Sequence, residues 1–259
     1  MRKLHYAVSL WNYIHYYQVP EIGALLSSLC TNGYGVELWN SWRGELDLFE
    51  VETRHKIKEY LAGMPVSLHT EIGFSSKDFH IRQIDAAVDL GASVLVLHSD
   101  NLYMENTKQL DIPLGKYVVE YAHSLGLHVA LENGQLPFLK EAVDQVPGLE
   151  ICLDIGHVYL VDESMQAFLD TFKSKIIHLH IQETLSQPER FLVGEDGIIV
   201  DHYTPGTGGI PKEDWSLLFD TLDEINFDGM AVFEIQPRKP LQTAFLGKKF
   251  MEEFELSDT

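Results

Sequence analysis

Eight times along this chain a short apolar run gives way to an amphipathic stretch, and that alternation limits the fold more than any other feature. Runs at 4–10, 35–39, 65–69, 94–98, 128–132, 151–154, 176–181 and 230–234 read as strands. Stretches at 21–31, 49–62, 81–90, 116–125, 136–146, 164–172, 215–225 and about 241–254 read as helices. In the Ile81–Leu90 stretch, Ile81, Ile84, Ala87 and Val88 are helically spaced, and Gly91 supplies a stop. Strands that alternate with helices imply a parallel sheet. Eight units in 259 residues favour closure into a (β/α)8 TIM barrel, of class α/β. An open doubly wound sheet is the weaker reading, because no glycine-rich phosphate turn follows the first strand. Residues 1–259 are expected to form one domain, with no internal repeat, linker or low-complexity segment.

Charge and cysteine content exclude some partners. The net charge is −20, from 19 basic and 39 acidic residues, with no basic run. A duplex-binding protein draws affinity from Lys and Arg on phosphates, so nucleic acid is disfavoured. No apolar run approaches the roughly 20 residues of a membrane span. MRKLHYAVSLWNY at the start reads as a first strand rather than a signal peptide, since polar residues interrupt it. Cys30 and Cys152 alone imply no disulfide framework, and a reducing cytoplasm is the expected setting. Homo-oligomerisation is left open.

The polar residue that closes each run is informative. From the third run to the eighth these are His69, His98, Glu132, Asp154 (followed by Gly156 and His157), His180 and Glu234. The second run contributes Glu37. Barrel active sites are assembled at strand ends of this kind. Carboxylates and neutral imidazoles give electron pairs to divalent cations, and buried carboxylates without a cation would be unstable as charges. The expectation is a divalent metal, Mn, Mg, Co or Zn. His178 shares the parity of His180 but lies deeper and reads as a non-ligand, and His5, His15, His55, His80, His123 and His128 read likewise as satisfied core or surface residues.

One connection is unusually long. Residues 182–210 separate the seventh strand from its helix, and FLVGEDGIIV within them reads as a hairpin. Long loops after barrel strands sit at the catalytic face. Trp11, Tyr13, Tyr16 and Tyr17 after the first strand, with Trp39 and Trp42 at the second, would ring that face. Aromatic faces suit the C–H side of a sugar or polyol.

The motifs LENG at Leu131–Gly134, CLDIGH at Cys152–His157, HLHIQE at His178–Glu183, DHYTPGTG at Asp201–Gly208 and VFEIQP at Val232–Pro237 resemble the xylose isomerase-like barrel superfamily. That superfamily includes sugar isomerases, ketose 3-epimerases, inosose dehydratase-like proteins and endonuclease IV. The resemblance implies a metal held by Glu132, Asp154, His180 and Glu234. In endonuclease IV-like members His69 and His98 match ligands of a second metal, and His157 and His202 match ligands of a third. Val200 stands where that third site has an aspartate, with Asp201 adjacent. In the epimerases His157 would contact a substrate oxygen, and Glu132 and Glu234 would move the proton. Those enzymes carry an arginine where this chain has Ser186, with Arg190 nearby.

The expected function is therefore a metal-dependent isomerase or epimerase of a sugar or polyol, working through an enediolate. Its catalytic residues would be Glu132 and Glu234. Its substrate contacts would be His157, Trp11, Trp39 and Glu37, with Glu37 open between that role and a polar layer of the barrel interior. The alternatives are an endonuclease IV-like phosphodiesterase and a dehydratase on the same scaffold. A non-enzymatic binding subunit has no specific support.

Overall fold

A computed structural model describes residues 3–11, 21–42, 46–61, 63–73, 75–161, 164–184, 202–206, 209–235 and 240–256. Eight parallel strands form a closed barrel: β1 (Lys3–Ser9), β2 (Gly35–Trp39), β3 (Val66–His69), β4 (Val94–Leu97), β5 (His128–Glu132), β6 (Glu150–Asp154), β7 (Ile176–Ile181) and β8 (Asp228–Phe233). Each pairs with its neighbours in sequence, and β8 closes on β1 with Val8 opposite Phe233.

Strand parity sorts the side chains. Outward-facing apolar residues such as Val36, Leu68, Leu95, Leu131, Leu153 and Leu179 join one continuous core with the helices. Inward-facing apolar residues form two separate small clusters, Val94, Val96, Ala130 and Cys152 in one, Ala7, Met230 and Val232 in the other. Above them the barrel interior is polar, with Ser9, Glu37, Ser67, His69, His178 and His180 all buried.

The helices are α1 (Ile22–Thr31), α2 (Val51–Lys58), α3 (Lys77–Leu90), α4 (Ile112–Ser124), α5 (Leu136–Gln145), α6 (Ile155–Leu160), α7 (Met165–Phe172), α8 (Lys212–Glu224) and α9 (Pro240–Leu256). Of these, α3 and α4 start four residues before their apolar periodicity. Ser76 accepts the Phe79 amide at 3.2 Å and begins α3, and Asp111 accepts the Leu114 amide at 2.9 Å and begins α4. Gly91, with φ of 76°, ends α3 as expected.

Two features were not expected. Ser41–Trp42 pairs antiparallel with Leu46–Asp47, and α6 starts directly at the end of β6. The hairpin expected within 191–200, and Ser186, Arg190, Val200 and Asp201, lie outside the described residues, as do Tyr13, Tyr16 and Tyr17.

Candidate metal centre

His180 stands at the middle of the site. Its Nδ1 lies 2.9 Å from Glu132 Oε1, 3.2 Å from Glu234 Oε2 and 3.8 Å from Asp154 Oδ2. Its Nε2 lies 3.2 Å from Glu37 Oε1. The two nitrogens of an imidazole point in opposite directions, so Glu37 sits on the reverse side of the ring from the other three carboxylates. Register explains the assembly: Asp154 pairs with His180, and His180 with Val232, whose i+2 neighbour is Glu234.

These residues test whether a cation fits. One Nδ1–H can serve one carboxylate well, and three stand within 4 Å of it. If Nε2 donates to Glu37, an incoming cation that displaces the Nδ1 proton meets a lone pair facing the three carboxylates. A divalent ion satisfies every atom of that set. The same holds one step away. His69 Nδ1 faces the Thr70 carbonyl at 2.7 Å, which fixes its proton there and leaves a lone pair on Nε2. That Nε2 lies 3.6 Å from Glu132 Oε2, and His98 Nδ1 lies 2.9 Å from the same oxygen. His69 Nε2, His98 Nε2 and Glu132 Oε2 are buried with no well-aligned hydrogen bond among the described residues. A third group, Asp154, His157 and His202, also brings its ligand atoms within 4.8 Å of one another.

Electrostatics follows from burial and pairing. Burial alone would raise the Glu132 carboxyl, but His98, His180 and His69 outweigh it and hold it well below the usual carboxylate range. Glu234 is likewise held down against burial by His180 and His202. Asp154 goes the other way: burial pushes it up, with Glu132 adding to the effect against His157. Burial would lower His180, yet the charges of Glu37 and Glu234 help keep it well above its ordinary value. The Cys152 thiol beside it is pushed up by burial and stays neutral.

Several positioning residues escaped the sequence reading. Gln182 donates from Nε2 to Asp154 Oδ1 at 3.0 Å and accepts the His202 amide at 2.7 Å. Asn133 binds both backbone groups of Asp154, accepting its amide and donating to its carbonyl. Asn101 accepts from the His98 amide at 2.7 Å and from Thr70 Oγ1 at 2.6 Å, so it ties together the ends of β3 and β4. No periodic pattern marks these residues. Gln182 could have been suspected from its place two residues beyond His180.

The expected substrate contacts fare differently. His157 is 22 % exposed and borders a mouth cavity of about 620 Å³, with His98, Glu132, Asn133, Tyr103 and Lys108. Trp11 stacks on His202 with ring centres 4.2 Å apart. Trp39 lies flat against His69 at 4.4 Å, and its Nε1–H donates to Ser9 Oγ at 3.0 Å. Glu37 is not at the mouth: it is wholly buried and accepts from Ser67 Oγ at 3.1 Å and from His178 Nε2 at 3.0 Å. It stands two residues before the end of β2, one layer below the strand tips. His178 is a buried partner of that layer and His80 bonds the Asn101 carbonyl at 3.0 Å, both as expected.

A family model described as a xylose isomerase-like TIM barrel matches residues 35–253. No curated protein matches the chain. Among solved structures it is similar to 3-keto-D-glucoside 4-epimerase from E. coli, with TM-score 0.65 and 16% identity over 97% of this chain and 100% of that one. It is also similar to L-ribulose 3-epimerase, with TM-score 0.69 and 15% identity over 98% of this chain and 96% of that one. A third is the IOLI protein with a binding zinc atom, with TM-score 0.66 and 16% identity over 98% and 97%. These likenesses concern the fold.

Proposed function

The chain belongs to the xylose isomerase-like TIM barrel family, and on that footing we propose that it is a divalent-metal-dependent isomerase or epimerase of a sugar or polyol. The observation that carries the reading is the convergence of Glu132, Asp154 and Glu234 within 4 Å of His180 Nδ1. Those four side chains would hold the metal. When bound, such an ion supplies polarisation of a substrate carbonyl, which acidifies the neighbouring C–H.

The chain's own residues do the rest. Glu132 and Glu234 reach the site from strands three apart in the barrel, with Glu234 Oε1 steadied by Ser9 Oγ at 3.5 Å. One carboxylate takes the proton from the carbon beside the carbonyl, leaving an enediolate. The other carboxylate, after taking up a proton from solvent, delivers it to the opposite face, which inverts that carbon and leaves the two groups with exchanged protonation states. His157 would contact a substrate oxygen.

The test is solvent deuterium incorporation into a panel of ketoses and keto-polyols with added manganese. The reading expects exchange beside the carbonyl, accompanied by epimer and abolished by EDTA. Glu234→Gln is expected to slow exchange by about 10²–10⁴-fold while metal affinity falls far less. Equal loss of both makes Glu234 a ligand only, and no exchange with any substrate overturns the reading.

The His69–His98–Glu132 and Asp154–His157–His202 groups favour a second reading, an endonuclease IV-like phosphodiesterase with more than one metal. Cleavage of an abasic-site duplex that falls steeply with salt would support it.

A further inference from the structure

We propose that the protein binds a second kind of divalent cation, zinc or one of similar softness, at the opposite end of the barrel, on His123, His128 and Glu150. The site is built by the chain turn between α4 and β5. His123 lies in the last turn of α4, and Gly126, with φ of 79°, reverses the chain so that His128 can open β5. Glu150 opens β6, next to β5 in the sheet. Gly148, with φ of 83°, turns the chain into β6, and its missing Cβ leaves room for the His123 ring, whose Cε1 would lie 2.8 Å from a Cβ there.

The donor geometry suits one ion. Each of the three side chains offers a ligand atom within 4.8 Å of the other two. His128 Nδ1 and Glu150 Oε2 share a proton at 2.8 Å, and the rings of His123 and His128 meet edge to face at 5.8 Å. Tetrahedral ligands about 2.1 Å from a zinc lie roughly 3.4 Å apart, which falls within that spread. His123 is exposed and the His128 side chain is 57% exposed, so both rings can adjust. Two imidazoles with one carboxylate are a zinc-type set that leaves a fourth position for water. Binding at His128 Nδ1 would replace the hydrogen bond to Glu150, the ring carrying its one proton on Nε2 instead.

The site is separate from the mouth. His128 and Glu132 are the two ends of β5, about 13 Å apart along the strand. It lies among the strand starts, where barrels keep stability rather than chemistry. It takes no part in the proposed reaction.

The test is equilibrium dialysis of the metal-stripped full chain against zinc alone, counted by elemental analysis. His123→Ala and His128→Ala, made singly, are expected to remove one zinc per chain or weaken one class of site at least tenfold. Glu150→Gln should weaken the same class. His180→Ala, which removes the mouth site, should leave this zinc in place. An unchanged count in both histidine variants overturns the proposal. If His180→Ala does not fold, the comparison of wild type with His123→Ala and His128→Ala still decides. Loss of the mouth metal alone bears only on the proposed function.

Discussion

Glu37 falls in the polar layer of the barrel interior, one of the two roles its place in the sequence left open. Behind His180, we read it as a positioning residue for the proposed metal: by accepting from Nε2 it would keep the other nitrogen free for the ion. Glu37→Gln should therefore weaken metal affinity by about 10–100-fold while the fold persists. Glu37→Ala should cost more stability, on the order of 3 kcal/mol, because two buried imidazoles lose their shared partner. Metal titration beside thermal unfolding separates the two effects. A Glu37→Gln protein with altered KM and unchanged metal affinity would restore a substrate contact instead. The sequence made Glu37 a metal-capable type on an inward parity. Its height in the barrel followed only from counting back from Trp39, where β2 ends. His69, His98, Glu132, Asp154, His180 and Glu234 were legible because each closes or directly follows its apolar run. Asn101, Asn133 and Gln182 were not, since loop hydrogen bonds leave no period to read.

At the scale of elements, α6 and the strand-to-loop junction after β7 depend on one close approach. A Cβ on Gly156 would lie 2.4 Å from Gln182 Oε1. Gly156→Ala should push Gln182 off Asp154 and the His202 amide, cost about 1–3 kcal/mol and weaken metal binding. In a Gly156→Ala/Gln182→Ala double variant the losses should be less than additive, as unfolding of all four proteins would reveal. Independent behaviour would deny the coupling. At six residues α6 was too short for periodicity to announce it.

A second element-level contact ties α2 to α3. Arg54 Nε lies 2.6 Å from Asp89 Oδ2, and Arg54 holds the Asp89 carboxyl below its ordinary value. A carboxyl lowered on folding adds stability that is complete above its unfolded value and disappears as pH falls through the folded one. Asp89→Asn should therefore cost about 0.5–1 kcal/mol at neutral pH and progressively less in acid below the ordinary Asp range. Urea unfolding at both pH values checks this, and an equal cost at both would contradict it.

For the whole molecule, eight similar units made the barrel readable, because parity and strand ends follow from the alternation alone. The 182–210 connection was recognised by length, while the placing of its described residues 182–184 and 202–206 depends on contacts that no local pattern encodes. Gln182 to the His202 amide is one, and the Glu183–Tyr203 bridge is another. The buried carboxylates at the mouth also bear on global stability. A saturating divalent ion at 100 times its Kd should add about 2.7 kcal/mol to unfolding, read as a rise in Tm that EDTA reverses.

The most direct measurement is manganese binding to the metal-stripped protein, followed by electron paramagnetic resonance of free ion, in wild type and Asp154→Ala. Manganese prefers the oxygen-rich mouth to an imidazole pair. The account predicts saturable binding in wild type and its loss in Asp154→Ala with the fold retained. Wild type that binds no manganese, or a variant that binds it equally well, would contradict it.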